Sequence, residues 1–179
     1  MTPITKEKQI SAQAPQDLPI LRVCFVCTGN TCRSPMAAAV ANAMAQPTAA
    51  LPEDLRQKMA PALQAYSAGL YAVAGEPISH NAVKALEEAN VAAVKGLDYH
   101  KHAARTLTLE EAERFDWLVA VSERHAMELL MRFPQLASRM IQMPSAISDP
   151  YGGDLARYKA CLAEITKGVQ ALFFSGEGV

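Results

Sequence analysis

The sequence predicts an α/β fold: a three-layer, doubly wound, four-stranded parallel sheet with helices on both faces. Three observations predict it. Short apolar runs of β type alternate along the chain with segments of helical period, the pattern of strand-helix-strand units. The first run, Ile20 to Val26, is almost continuously apolar, as a strand covered on both faces must be. The length of 179 residues with 50% hydrophobic content suits one well-cored domain and would cramp two.

Residues 1–19 are polar, hold Pro3, Pro15 and Pro19 and show no apolar period, so they are expected to form a mobile extension to a single domain at 20–179. After the first strand, Pro35 behind Ser34 starts a helix of Met and Ala residues running to about Ala45. Gln46 to Ala62 places Pro47, Pro52 and Pro61 around a helix-favouring piece, Glu53 to Ala60. A second strand near Leu63 to Ser67 leads through Ala68-Gly69 into a loop that passes Leu70 and Tyr71 and ends at Pro77. Ile78 to Asn90 repeats at i, i+4 (Ile78, Ala82, Leu86; Val83, Glu87), so one helical face is apolar. Thr108-Leu109-Glu110-Glu111 has the form of a capping box that opens a short helix to Phe115.

Trp117 to Val121 is the third strand, and Ser122 is expected to cap a helix that stops near Arg132, before Pro134. Arg139 to Met143 is the fourth strand, and Pro144 to Gly153 forms a loop. The last helix, Leu155 to Phe174, carries Leu155, Tyr158, Leu162, Ile165, Val169 and Leu172 on one face. Sheets of this kind bind ligands at the carboxyl ends of their strands, and Cys27 stands at such an end.

Composition narrows the function. The net charge is −1 and no Lys/Arg cluster stands out, which argues against a nucleic-acid surface. No apolar run approaches membrane-spanning length, and Met1 to Pro19 lacks the apolar core of a signal peptide, so no membrane partner is expected. Of the four cysteines, Cys24, Cys27 and Cys32 crowd the end of one strand, which is no disulfide framework. A reducing cytoplasm is the expected location.

The chemistry concentrates in Cys27-Thr28-Gly29-Asn30-Thr31-Cys32-Arg33-Ser34, which joins strand to helix. Amides at a helix start have no intrahelical partner and face an anion with the positive end of the macrodipole behind them. Such surroundings, with an arginine nearby, favour the thiolate over the thiol. A tetrahedral phosphate could be clamped bidentately by Arg33 and attacked by Cys27. A buried structural cysteine would explain neither Gly29 nor Arg33. Cys24 and Cys27 also spell Cys-x-x-Cys, but in a strand they point to opposite faces, and no second ligand pair is spaced for zinc. No metal and no cofactor are expected, because amides and a guanidinium meet the oxyanion charge.

Cys-x5-Arg-Ser directly after a strand near the amino end, followed much later by Asp149-Pro150, resembles the low-molecular-weight protein tyrosine phosphatases, in element order over roughly residues 21 to 174. The resemblance implies a protein phosphatase with Cys27 as nucleophile, Arg33 and the loop residues Thr28, Gly29, Asn30, Thr31 and Cys32 around the phosphate, and Ser34 donating to the thiolate as well as capping the helix. It implies that Asn30 holds the loop in a left-handed conformation, with Ser67 and His102 as supports. Asp149 becomes the proton donor and then the base for the hydrolytic water, and Tyr71 and Tyr151 become the walls of the cleft. Cys32 is either a redox partner of Cys27 or a small packing residue, and both stay open. Gln46 to Ala62 resembles an insertion into the family pattern.

Two rivals exist. An arsenate reductase of the same fold passes a disulfide along mid-chain cysteines, whereas Lys95 to Val121 contains none and Cys161 lies on the last helix. A phosphate-binding module without turnover would not need nucleophile, arginine and acid together. Tyrosine-directed members carry a bulky aliphatic residue after the nucleophile and another before the second cysteine. Here Thr28 and Thr31, with Asp149-Pro150-Tyr151-Gly152-Gly153, resemble the branch that hydrolyses phosphoarginine. The expected substrate is a phosphorylated protein or peptide, phosphoarginine ahead of phosphotyrosine.

Overall fold

The computed structural model describes residues 20–46 and 63–175. Four strands, β1 (Leu21–Cys27), β2 (Leu63–Gly69), β3 (Trp117–Ala120) and β4 (Met140–Gln142), form one parallel sheet in the order β2-β1-β3-β4. β1 is central, with Cys27 opposite Gly69 on one side and Val26 opposite Ala120 on the other. Val23 to Cys27 are between 0% and 3% exposed, which is why the run reads as continuous and not as alternating.

Period-two geometry divides that run between two cores. Val23, Phe25 and Cys27 face α1 (Arg33–Met44), α2 (His80–Glu88) and α5 (Leu155–Phe173), while Cys24 and Val26 face α3 (Leu109–Ala112) and α4 (Glu123–Arg132). Helices therefore cover both faces. α1 is buried from Arg33 through Asn42, small alanines allowing close approach on every side. Asn42 satisfies the outer edge of β2: its Nδ2 donates to the Ala65 carbonyl and its Oδ1 accepts the Ala65 N–H, each at 2.8 Å.

Several element ends differ from expectation. α1 begins at Arg33 with Cys32 in the N-cap position, so Ser34 lies inside the helix and is not its cap. Its hydroxyl is used by the loop instead, as described below. Ser122 does occupy the N-cap position of α4, but its Oγ meets His125 Nδ1 at 2.6 Å and makes no cap bond. The Thr108–Glu111 capping box is present, yet α3 ends at Ala112 after a single turn. α2 is two residues shorter at each end than Ile78 to Asn90, and Asn90 at φ +55° turns the chain out of it. The extension expected at residues 1–19 and nearly all of the segment at 46–62 lie outside the described residues. Among the described residues no helix is long and apolar enough to cross a membrane.

The strand order fixes where a ligand can sit. From β1 the chain moves to β2 on one side, and from β3 it moves to β4 on the other, so the crevice opens at the carboxyl ends of β1 and β3. The segment that leaves β1 holds Cys27 to Arg33; the segment that leaves β3 holds Ser122 to His125.

Candidate active site

The loop at residues 27–33 is shaped by what takes its carbonyls. Cys27 O accepts the Leu70 N–H at 2.9 Å, Thr28 O the Tyr71 N–H at 2.9 Å, Asn30 O the His102 Nε2–H at 2.7 Å and Thr31 O the Ser79 N–H at 2.8 Å. No cis peptide bond occurs among the described residues. In a trans peptide the N–H opposes the C=O, so the amides of Thr28, Gly29, Thr31 and Cys32 turn to the concave side. Cys27 is 3% exposed, and its Sγ stands at the base, accepting the Asn30 N–H at 3.3 Å and lying 3.0 Å from Ser34 Oγ. Both neighbours can donate, which is what a sulfur anion requires.

Asn30 is the hub. It is fully buried with φ +58°, a left-handed conformation that asparagine tolerates better than most residues. Its Nδ2 donates to Ser34 Oγ and to Ser67 Oγ, each at 2.9 Å, and its Oδ1 accepts the Arg105 N–H at 3.0 Å. Ser67 and His102 thus both reach the residue they were expected to support. Burial above all, with some help from Arg105, holds His102 below the usual histidine range, so the neutral ring keeps its Nε2 proton for Asn30. β2 also crowds the loop: a Cβ on Gly69 would stand 2.6 Å from Thr28 O and 3.1 Å from Asn30 N, so only glycine fits there.

At the mouth, Arg33 Nη2 donates to Asp149 Oδ2 at 2.8 Å, the guanidinium buried and the carboxylate half exposed. Tyr151 N–H donates to Asp149 Oδ1 at 3.2 Å and the Tyr151 ring is exposed. Tyr71, tied to the loop through Thr28 O, lies under the Arg132 guanidinium 4.3 Å from its ring centroid. Asp149 and Tyr71 thus bond loop residues directly, and Tyr151 is linked to the loop only through Asp149.

The four cysteines are free and buried. Cys32 Sγ lies 3.2 Å from Tyr158 OH beneath α5, and burial with that contact pushes the Tyr158 hydroxyl up to about 12. Cys24 and Cys27 face opposite cores, as their spacing predicts. Burial pushes the Cys24 and Cys161 thiols each up to about 12, the opposite of what a disulfide relay needs. Among the described residues no group of three or more His, Cys, Asp or Glu side chains could hold a metal ion.

Sequence reasoning missed several contributors, the Leu70 N–H that takes the Cys27 carbonyl among them. Arg105 and Ser79 act through backbone N–H groups, which no side-chain pattern signals. Tyr158 was expected only as a core position, and Arg132 only as the end of a helix. His125, 4% exposed, places Nε2 2.9 Å from Thr28 Oγ1. A signal for it existed, since it follows the carboxyl end of β3 just as the Cys27 loop follows that of β1.

Comparison with known proteins fits this geometry. A family model described as low molecular weight phosphotyrosine protein phosphatase matches residues 22–177. A protein-arginine-phosphatase of Geobacillus stearothermophilus is 31% identical over 154 residues, covering 80% of this chain and 88% of that protein. A Ralstonia solanacearum protein named probable low molecular weight protein-tyrosine-phosphatase is 30% identical over 156 residues, 85% of this chain and 93% of its own. Among solved structures, a low molecular weight protein tyrosine phosphatase from T. tengcongensis is similar with a TM-score of 0.70 and 32% identity, over 85% of this chain and 97% of that one.

Proposed function

The chain belongs to the low molecular weight phosphotyrosine protein phosphatase family, and from that premise we propose that it dephosphorylates arginine side chains of proteins in preference to tyrosine, through a phosphocysteine at Cys27. Membership makes it a hydrolase acting on phosphorylated protein. The observation that carries the finer reading is the polar lining of the loop. Thr28 Oγ1 is held by His125, and Thr31 Oγ1 lies 3.6 Å from Cys32 Sγ, at the two positions where tyrosine-directed members carry aliphatic bulk. An aromatic ring loses apolar wall there, and a guanidine gains hydroxyl partners.

In this reading the loop amides and Arg33 hold three phosphoryl oxygens while Cys27 Sγ attacks phosphorus from below. The S–P bond forms as the P–N bond breaks, and the leaving nitrogen takes a proton from Asp149. A water then attacks phosphorus and gives its proton back to Asp149, which frees the thiolate and inorganic phosphate. Arg33 and Asp149 already pair with each other, and a phosphoryl group is the stronger, bidentate partner for the guanidinium. Substrate binding thus releases the carboxylate to face the leaving group. The free thiols among the described residues fit a reducing cytoplasm as the place of action.

Phosphotyrosine is the second reading, favoured by the exposed Tyr71 and Tyr151 rings at the rim, which suit an aromatic substrate. A side-by-side assay of phosphoarginine and phosphotyrosine peptides separates the two. The wild type is expected to show the higher kcat/KM on phosphoarginine, and Thr31→Ile to move the ratio toward phosphotyrosine by about tenfold. A wild type that prefers phosphotyrosine, with a ratio that Thr31→Ile leaves in place, refutes the arginine assignment. Cys27→Ser should end turnover on both peptides while inorganic phosphate still binds.

A further inference from the structure

Ser122, His125 and Thr28 form a hydrogen-bonded chain across the crevice between β1 and β3. His125 is 4% exposed, and both ring nitrogens are engaged: Nδ1 lies 2.6 Å from Ser122 Oγ and Nε2 2.9 Å from Thr28 Oγ1. An imidazole anchored at both ends cannot turn without breaking one of these bonds. Thr28, the residue after Cys27, is exposed at the lip of the loop. The charges that act on the ring are Arg33 from α1, Asp149 from the loop before α5, and Arg124 and Glu128 from its own helix. Burial first, and Arg33 next, hold its titration below the ordinary 6.5, so the ring is neutral at neutral pH.

We propose that His125 is a positioning residue that turns Thr28 Oγ1 into a fixed hydrogen-bond acceptor at the lip of the loop, where an N–H of a phosphorylated guanidine docks. An acceptor at the lip needs the tautomer with the proton on Nδ1, one of the two that the ring's contacts allow. In that tautomer Nδ1–H donates to Ser122 Oγ and Nε2 accepts the Thr28 O–H, which leaves the Thr28 lone pairs facing outward. A threonine hydroxyl free to rotate would offer a donor as readily as an acceptor. The nitrogen edge of a guanidinium offers donors alone, whereas the ester oxygen of an aryl phosphate offers none. Protonating His125 makes Nε2 a donor, which occupies one Thr28 lone pair and frees the hydroxyl proton to turn outward, so the lip no longer presents an acceptor alone. The discrimination therefore weakens as pH falls through the titration of His125.

The proposal rests on the phosphoarginine reading, and a double-mutant cycle on peptides of both kinds keeps the two apart. In Thr28→Val and in His125→Leu the ratio of kcat/KM on phosphoarginine to that on phosphotyrosine should fall about tenfold, and the double variant should lose no more than either single one. His125→Gln, whose amide oxygen can stand in for Nε2 as acceptor, should recover most of the ratio. In the wild type the ratio should fall between about pH 8 and about pH 5.5, and in His125→Gln it should stay level. Losses that multiply in the double variant overturn the proposal. So does an equal loss on both peptides, or a pH-dependent ratio in His125→Gln. Should His125→Leu fail to fold, Thr28→Val and the pH profiles of the wild type and His125→Gln still decide it. A wild type faster on phosphotyrosine overturns the substrate assignment alone, since coupling measured on the remaining phosphoarginine turnover still decides the role of His125.

Discussion

Replacing Asn30 should collapse the loop, and the cost can be built from its contacts. The side chain makes three hydrogen bonds, to Ser34 Oγ, Ser67 Oγ and the Arg105 N–H, all from a fully buried position. At about 1 kcal/mol net for each, their loss amounts to about 3 kcal/mol. Alanine must also hold the φ of +58°, which adds about 1 kcal/mol that asparagine largely avoids. Asn30→Ala should therefore lose about 4 kcal/mol, a large part of the 5–15 kcal/mol of roughly typical domain stability. Asn30→Gly accepts the left-handed conformation and should lose only the hydrogen-bond share, about 3 kcal/mol. Urea unfolding of the three proteins measures both figures. In parallel, affinity for inorganic phosphate should fall in both variants, because the Asn30 N–H and the amides beside it no longer hold their direction. The reasoning fails if the variants lie within about 0.5 kcal/mol of wild type, or if alanine and glycine cost the same.

Two further outcomes follow from the same geometry. Asp149→Asn should slow hydrolysis of an aryl phosphate with a poor leaving group by about a hundredfold and that of one with a good leaving group far less; equal slowing in steady-state kinetics would argue against proton donation. His102 and His125 are both held below the ordinary 6.5, so the folded state binds fewer protons than the unfolded one. Their contribution is whole above about 6.5 and is lost as pH falls below it. The exposed His100, raised by Asp98 and Glu87, acts in the opposite sense. Thermal unfolding should show Tm falling on acidification and falling less in His102→Gln; a Tm that rises instead would contradict the assignment.

The parts of this protein that were legible in its sequence are those whose signal is local. β1 could be read because burial on both faces leaves Val23 to Cys27 no polar position, and the Thr108–Glu111 box because both its partners lie within one turn. Asp149, His102 and Ser67 were legible only through resemblance to a family, since an Asp-Pro turn, a loop histidine and a strand serine have ordinary roles in most proteins. The two missing cap bonds have a common cause. Ser34 and Ser122 both look like caps, and in both the hydroxyl serves the site instead, one at Cys27 and the other at His125. Local rules are most often broken where a functional contact competes for the same group.

The amide ring shows why a short motif is not yet a site. Nothing within residues 27–33 forces their carbonyls outward; that is done by Leu70, Tyr71, Ser79 and His102, which arrive from β2's exit, the start of α2 and the segment after it. Each of these bonds turns one carbonyl away and so turns the next amide in. A chain could keep Cys-x5-Arg-Ser and lose the cradle if the path after β2 shifted, and Gly69 guards that path, because any side chain there would strike Thr28 O. The chemistry proposed for Cys27 therefore depends on the fold at least as strongly as on the eight residues that name it.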